Sequence, residues 1–248
     1  MIPPIASLTT LHVLAVLFVA TLIRSAFGFG EALVAVPLLA LVLPVEVAAP
    51  VAVLVSVTVA GIVVIEDWRN VHLHSAGWLA GSALPGIPLG LVLLKTAPEF
   101  LVKAILGVVI LGFSLYSIAS RGQGELKHDR LAWLFGFSSG VLGGAYGMNG
   151  PPLVIYGVLR RWTPTQFRAT LQGYFLVASL VGMGGYWIAG LWTRAVSGYY
   201  LLSLPLVFIA VFAGKLVNRR LSGPRFLRLV YMGLVLIGAT LLIQARKS

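Results

Sequence analysis

The sequence predicts an all-α integral membrane protein made of two homologous repeats of inverted topology, each opening with a Gly-rich broken or re-entrant helix. The composition is the first observation behind this prediction. Of the 248 residues, 59% are hydrophobic and only 10% are charged, which is too little charge for a water-soluble domain. The second observation is a series of apolar runs of about 20 residues, the length that spans the hydrocarbon core of a bilayer. Internal matches between the two halves are the third.

Ten apolar segments follow one another along the chain. Lipid offers no partner to backbone N–H and C=O groups, so a spanning segment must be a helix or part of a closed barrel. Continuous runs such as VLAVLFVATL, without the alternation of barrel strands, predict helices. The predicted segments are 9–27, 29–43, 47–65, 75–94, 100–119, 131–146, 150–159, 166–190, 197–217 and 226–244.

The segments that open each half are interrupted by glycines and then by prolines. Glycine lowers helix propensity, and proline is favoured in the first turn of a helix. The clusters contain Gly28, Gly30 and Pro37 in the first half, and Gly143, Gly144, Gly147, Gly150, Pro151 and Pro152 in the second. We expect broken helices whose ends meet inside the membrane, which is the usual position of a transporter site.

The two halves match in three places and in the same order. PEFLVKAILGVVILGFSLYSI at 98–118 matches PRFLRLVYMGLVLIGATLLIQ at 224–244, and LPGIPLG at 84–90 faces LPLVFIA at 204–210. The openings FGFGEALVAVPLL at 27–39 and AYGMNGPPLVIYG at 145–157 correspond as well. Three ordered matches favour an internal repeat of about 120 residues. We therefore expect repeat 1 at 1–120, a loop at 121–130 and repeat 2 at 131–248.

The distribution of Lys and Arg favours the inverted arrangement. If each opening re-enters or crosses twice, each half makes an odd number of crossings, and the cationic residues divide 12 to 5 between the two sides. If each opening crosses once, the halves are parallel and the division is 10 to 7. Positive residues favour the cytoplasm, so we expect both termini to be extracytoplasmic.

Several classes of protein do not fit the sequence. The absence of cysteine excludes disulfides and thiolate metal sites. The chain has only four His and seven acidic residues, so a metal site built from these ligands is not expected. The net charge of +11 lies mostly between spans and fits membrane topology rather than a nucleic-acid surface. No catalytic motif, Walker loop or Rossmann fingerprint is found, so no enzyme activity, cofactor or metal is predicted. The N-terminus lacks the basic region of a cleaved signal peptide.

Arg24 and Glu31 are the candidate charged residues of a binding site. Arg24 lies in the apolar run before the first break, where an arginine is costly and could bind an anionic oxygen. Glu31 lies at the break and could carry a proton coupled to substrate movement. The alternative for both is a structural ion pair, with snorkelling of Arg24 or helix capping by Glu31 as further interpretations.

Polar groups at the breaks complete the candidate site. Gly28, Gly30, Gly147 and Gly150 would let backbone N–H groups face an anion, although close helix packing explains them equally well. Asn149 and Tyr146 lie in the second opening, where Asn149 could donate a hydrogen bond to an oxyanion or satisfy unwound backbone.

Two residues of a later helix and two hydroxyls inside a span were also considered. Arg168 and Gln172 share a helix face at spacing i, i+4. Arg168 could guide an anion or be an interfacial cation. Ser56 and Thr58 are explained most simply by backbone or interhelical hydrogen bonds.

The chain resembles the sulfite exporter TauE/SafE family at its most distinctive motifs. These are RSAFGFGEALVAVPLL at 24–39, DWRNV at 67–71, GGAYGMNGPPLVIYG at 143–157 and FRATLQGYF at 167–175. The resemblance covers nearly the whole chain and implies export or import of sulfite, organosulfonates or other small anions. Many members carry a plain run of glycines in the first opening, whereas GFGEA here places a carboxylate at Glu31.

The expected function is secondary transport of a small anion across the cytoplasmic (inner) membrane by alternating access. Proton coupling through Glu31 and a homodimer are additional expectations, and the lipid bilayer is the expected environment. A passive anion channel is the alternative. A membrane enzyme or an assembly subunit would need a titratable cluster at one interface, and the sequence shows none.

Overall fold

A computed structural model describes residues 7–67, 73–119, 125–126, 128–220 and 224–247. These residues form ten α-helices and one short 3₁₀ turn at Asp129–Leu131, and no strand occurs among them. The helices are α1 (Leu8–Phe27), α2 (Glu31–Leu39), α3 (Val45–Asp67), α4 (Leu73–Thr96), α5 (Glu99–Ala119), α6 (Ala132–Tyr146), α7 (Gly150–Leu159), α8 (Pro164–Ile188), α9 (Arg194–Arg220) and α10 (Pro224–Lys247).

The helices follow the ten predicted apolar segments in order. Five of those in the described part of the chain, α1, α3, α4, α5 and α9, are long and apolar enough to cross a membrane. The all-helical, multi-pass prediction is therefore confirmed. The second segment was predicted to reach residue 43, but α2 ends at Leu39. The Val42 and Leu43 amides then bond back to the Leu39 carbonyl, which makes a turn.

Both glycine-rich openings contain a helix end followed closely by a new helix start. Gly28 follows α1 with φ of 83° and Gly147 follows α6 with φ of 67°, both in the left-handed region where glycine alone is unstrained. The helices that follow, α2 and α7, have only 9 and 10 residues. At 1.5 Å per residue each covers roughly half of a hydrocarbon core.

Contacts between the ends of each opening bring its last residues back towards its first. The His12 ring lies 3.3 Å from the Leu38 carbonyl, which joins the start of α1 to the end of α2. In the second opening, the Leu126 amide donates to the Leu159 carbonyl over 2.7 Å. Arg161 and Glu125 form an ion pair of 3.4 Å in the same region. Each opening is therefore a helical hairpin.

The helices pack in pairs, and the pattern of pairs stays the same when α1–α5 are exchanged in order with α6–α10. The closest pairs are α4 with α6, α1 with α9, α5 with α10, and α3 with α8. Swapping the halves converts the first pair into the second and returns each of the other two to itself. The described helices thus pack with approximate two-fold regularity.

The two self-corresponding pairs are antiparallel. On α5 and α10, Gly107 lies beside Leu242 and Gly238 lies beside Leu111. The residue numbers therefore increase in opposite directions along the two helices. On α3 and α8, Ser56 and Ser179 are 3.3 Å apart, and Pro50, Leu54, Met183 and Tyr186 line one recess. In each of these two pairs, the helices therefore run in opposite directions.

The α4–α6 pair packs unusually closely because small residues line it. A Cβ added at Gly136, Gly140 or Gly144 would meet the backbone of α4 near Leu79, Ala83 and Ile87 respectively. The constant spacing of four residues on both helices shows that they run parallel. Small residues at such spacing let two backbones approach within the membrane, where no hydrophobic effect drives helix association.

Candidate functional site

A buried hydrogen-bond network surrounds Arg24 near the end of α1. Arg24 is 3% exposed and forms an ion pair with Glu31, which is 2% exposed. Its guanidinium also donates to Ser56 Oγ over 2.6 Å and to Gln172 Oε1 over 2.9 Å. The guanidinium carbon lies 5.3 Å from the centre of the Phe175 ring, which adds a cation–π contact. Arg24 is thus fixed by α2, α3 and α8 together.

Glu31 is held by the helix that precedes the break. Thr21 Oγ1 donates to Glu31 Oε1 over 3.2 Å, while Arg24 contacts the other carboxylate oxygen. Thr21 and Arg24 are three residues apart and share one face of α1. The structural ion pair that the sequence offered as an alternative is therefore present, and it neutralises the Arg24 charge in this conformation.

Gln172 links the two halves of the chain at the first break. Its amide oxygen accepts from Arg24, 148 residues away in the sequence. Its amide nitrogen donates to the Gly28 carbonyl over 2.6 Å. That carbonyl follows the end of α1 and has no helical partner of its own. A single side chain of α8 therefore fixes both the arginine and the unwound backbone.

A small cavity lies against this network and is bounded by both openings. It holds about 380 Å³ of space, counting its open side. Ser56, at the middle of α3, is part of its wall, so the cavity lies about halfway along a membrane-length helix. The lining residues are Arg24, Phe29, Gly30, Glu31, Ala32, Leu33, Ser56, Phe113, Gly147, Asn149, Gly150, Pro151 and Phe175.

The N-terminal ends of α2 and α7 both border the cavity. Gly30 and Asn149 are the residues that precede these helices, and neither makes a side-chain capping bond. The first N–H groups of a helix have no partner within the helix, and its N-terminus carries a partial positive charge. Pro151 and Pro152 have no N–H, so Gly150 supplies the N–H group at the start of α7. Two such ends beside one cavity are suited to an anion.

Asn149 brings an additional polar atom to the cavity wall. Its side-chain oxygen is buried and makes no hydrogen bond within the described residues. Its backbone carbonyl accepts from Ser139 Oγ over 2.6 Å, and the Tyr174 hydroxyl donates to Ser139 over 2.9 Å. The start of α7 is thus anchored to α6 and α8, and the Asn149 side-chain oxygen packs against Gly143 of α6.

Most of the site residues predicted from sequence come together. Arg24, Gly30, Glu31, Gly147, Asn149 and Gly150 line the cavity, and Gly28 and Gln172 adjoin it through the bonds described above. Tyr146 is directed elsewhere, because its hydroxyl donates to the Val102 carbonyl of α5 over 3.0 Å. Arg168 lies in α8 one turn before Gln172, but its side chain is outside the described residues.

Sequence reasoning did not identify seven of the lining residues as part of the site, which are Phe29, Ala32, Leu33, Ser56, Phe113, Pro151 and Phe175. Ser56 was assigned only an interhelical hydrogen bond, and Phe29, Phe113 and Phe175 were not selected. A serine inside an apolar span is a usable signal, because a buried hydroxyl needs a partner. The three phenylalanines look like any other apolar residue of a membrane helix, so no local pattern separates them.

Comparisons with known proteins identify the family of the chain. The sequence model of the family described as "Sulfite exporter TauE/SafE" matches residues 13–241. A protein of Cupriavidus necator named "Probable sulfite/organosulfonate exporter TauE" is 27% identical over 184 residues, which cover 72% of this chain and 70% of that protein. No solved structure matches the chain. With a family match over most of its length and five membrane-length helices, this multi-pass membrane protein belongs to the TauE/SafE sulfite exporter family.

Proposed function

We propose that the protein is a secondary transporter that exports a small oxyanion, of the sulfite or organosulfonate class, across the cytoplasmic membrane. The family and the similarity to a probable sulfite/organosulfonate exporter support this substrate class. The carrying observation is that the N-terminal ends of α2 and α7 and the side chain of Arg24 border one cavity at the middle of the bundle.

The chemistry of the cavity suits an anion with several oxygens. The guanidinium of Arg24 can hold two oxygens at once. Backbone N–H groups near Gly30 and Gly150, with the Asn149 amide, can donate to the others. The phenylalanines around the cavity keep water away and strengthen these electrostatic contacts. Tyr146 and Arg168 are proposed as supporting residues outside the first contacts.

Glu31 competes with the substrate for Arg24 in this proposal. While Glu31 is ionised and paired, the guanidinium already has a carboxylate partner. A proton on Glu31 would weaken that pair and leave Arg24 free to bind the anion, because a neutral carboxyl attracts the cation less. Anion binding and protonation of Glu31 would then accompany each other, which couples transport to protons.

Inverted repeats at 1–120 and 131–248, joined by the loop at 121–130, complete the proposal. The antiparallel pairs α5–α10 and α3–α8 support inversion, because parallel repeats would place equivalent helices in the same direction. The contact of Glu125 with Arg161 supports it too, since the parallel arrangement would put these residues on opposite sides. Two halves around one central site allow alternating access by rocking.

Flux through proteoliposomes tests the function. The change is the double substitution Arg24→Gln with Glu31→Gln, which removes the cation without leaving a buried carboxylate unpaired. Losing a charged hydrogen-bonding group worth ~1.5–3 kcal/mol should reduce sulfite flux about tenfold to a hundredfold. The matched control is Arg161→Gln, whose side chain is 63% exposed and should leave flux unchanged.

The same preparation separates a transporter from the passive anion channel. A transporter shows saturation and acceleration of labelled anion by unlabelled anion on the other side, whereas a channel shows neither. Undiminished flux in the Arg24→Gln, Glu31→Gln protein would remove the proposed site. The homodimer stays a prediction, and light scattering of the purified protein tests it.

A further inference from the structure

The α5–α10 pair breaks the two-fold regularity of the fold. This pair packs tightly through Gly107 and Gly238. A Cβ added at either glycine would lie about 3 Å from the backbone carbonyl oxygen of the other. Both helices contact α2 of the first opening. In the described part of the chain, α10 packs more closely against α2 than against α7, the corresponding helix of the second opening. The pair therefore leans towards one opening and away from the other.

A groove occupies the space between α5 and α7. Its α5 wall includes Val109, Gly112 and Tyr116, and its α7 wall includes Pro152 and Ile155. Gly112 is exposed, and a Cβ added there would meet no atom within 4 Å. At the corresponding place in the first half, α10 lies against α2 instead. Pro37 of α2, which faces Ile155 in the matched openings, is buried, whereas Ile155 is half-buried.

Phe113 separates this groove from the central cavity. Its side chain lines both spaces and is 5% exposed, and Pro151 at the start of α7 is the other shared residue. Phe113 lies on α5, so any movement of α5 towards or away from α7 carries the ring with it. The groove lies where α5 ends and α6 begins, on the face that the charge distribution assigns to the cytoplasm.

We propose that the α5–α10 pair is the moving element of transport, tilting between α2 and α7, with Phe113 as the gate of the central cavity. The inference rests on the proposed function, whose alternating access it makes specific. With the pair on α2, the groove beside α7 leads towards the cavity from the cytoplasmic face. With the pair on α7, this groove closes and an equivalent one opens beside α2 on the opposite face. Packed interfaces favour two discrete positions over a continuous range.

A cysteine pair across the groove tests the movement. The chain has no cysteine of its own, so Gly112→Cys with Ile155→Cys places the two thiols of the protein on opposite walls. The space at Gly112 accepts the new side chain without a clash. Under copper–phenanthroline oxidation, a disulfide forms only when the two Cα atoms lie within about 7 Å, so it reports α5 lying against α7. We expect the disulfide to form, organosulfonate flux to fall to that of protein-free liposomes, and reduction by dithiothreitol to restore it. An organosulfonate is the probe here because sulfite itself cleaves disulfides.

The single-cysteine variants and two substitutions of Phe113 accompany the cysteine pair. Each single-cysteine protein should keep its flux under oxidation, which excludes damage by the oxidant. Phe113→Ala should raise flux down a sulfite gradient and reduce its acceleration by sulfite on the other side, because the gate no longer closes. Phe113→Leu retains an apolar side chain and should preserve more of that acceleration.

The outcomes separate this inference from the proposed function. A disulfide that leaves flux intact would overturn the tilting mechanism, as would the absence of a disulfide in a protein that transports. Disulfide formation is read from the mass of the protein, so it reports closure of the groove even without flux. If the unmodified protein carries no sulfite or sulfonate while the disulfide still forms, the movement is supported and the substrate assignment fails.

Discussion

At the scale of residues, the buried pair of Arg24 and Glu31 is the main electrostatic feature of the described chain. Two charges taken out of water lose much of their hydration energy, and only mutual attraction and further hydrogen bonds repay it. Here Ser56, Gln172 and Thr21 provide those bonds. The arrangement holds the opening of α2 against α1, so the same residues serve stability and the proposed binding site.

Removing one member of the pair should be more harmful than removing both. Arg24→Gln leaves the Glu31 carboxylate buried without its cation, and we expect the free energy of unfolding to fall by ~3–5 kcal/mol. Adding Glu31→Gln should recover a large part of this loss. Chemical denaturation of the purified proteins in detergent measures the four corners of this double-mutant cycle.

A more exposed ion pair within α5 provides the comparison for that cycle. Glu99 and Lys103 are one helical turn apart, and their side chains are 57% and 14% exposed. Lys103→Gln should cost about 0.3–0.5 kcal/mol. Equal costs for Lys103→Gln and Arg24→Gln would show that Arg24 and Glu31 are well solvated, contrary to the burial described here.

Glycines with positive φ make a second residue-scale prediction. Gly147→Ala forces a left-handed conformation that costs about 1–2 kcal/mol, and its Cβ would also stand 2.7 Å from Val53 Cγ2. Gly30→Ala bears the conformational cost alone, since its nearest neighbour is Ile23 at 3.6 Å. Unfolding in denaturant should therefore rank Gly147→Ala below Gly30→Ala in stability.

A helical glycine serves as the control for both substitutions. Gly61 lies within α3, and a Cβ there meets no atom within 4 Å. Gly61→Ala should leave stability unchanged or raise it by up to ~1 kcal/mol, because alanine has the higher helix propensity. A greater loss in Gly61→Ala than in Gly147→Ala would contradict the left-handed assignment at Gly147.

The sequence identified the residues of the site better than their partners. Arg24 and Glu31 are recognisable because charge inside an apolar run is costly wherever the chain goes. The bond of Arg24 to Gln172 joins positions 148 residues apart, and no local pattern encodes such a distance. The direction of Tyr146 towards Val102 is likewise a property of packing, although the residue lies in the right motif.

At the scale of elements, the lengths of α2 and α7 follow from the chemistry of their flanks. Glycines end α1 and α6 in the left-handed conformation, and turns after Leu39 and Leu159 end the short helices. Apolar runs and glycine clusters made these breaks predictable, whereas the pairing of helices was not. The partners of α4 and α5 come from the other half of the chain, so tertiary packing alone selects them.

The α4–α6 interface gives an element-scale prediction. Gly140→Ala places a Cβ against the carbonyl oxygen of Ala83, much closer than van der Waals contact allows. Overpacking of this kind costs about 1–3 kcal/mol, so we expect a lower melting temperature of the protein in detergent. Gly184→Ala in α8, where a Cβ meets nothing within 4 Å, is the control. Unchanged melting of Gly140→Ala would show that the two helices are further apart than described.

At the scale of the whole molecule, two different signals lead to the proposed inversion. Matching motifs in the two halves predict the repeat, and the bias of Lys and Arg predicts its orientation. The helix directions are independent of both, because they follow from contacts such as Ser56 with Ser179. The asymmetry of the α5–α10 pair had no signature in the sequence, since equivalent helices with similar residues occupy different surroundings.

The membrane sidedness of three loops provides the last prediction, at the scale of the whole molecule. Inverted repeats place Glu125 and Arg161 on the cytoplasmic side, where they form an ion pair, and Thr193 on the opposite side. Single cysteines at these positions can be read directly, because the chain has no other thiol. In right-side-out vesicles, a membrane-impermeant maleimide should label Thr193→Cys at once, and Glu125→Cys and Arg161→Cys only after permeabilisation. Parallel repeats would instead separate Glu125 from Arg161, since the second opening would then cross the membrane once. Labelling of either of these two without permeabilisation, while the other stays protected, would therefore exclude the inverted arrangement and with it a single site shared by mirrored halves.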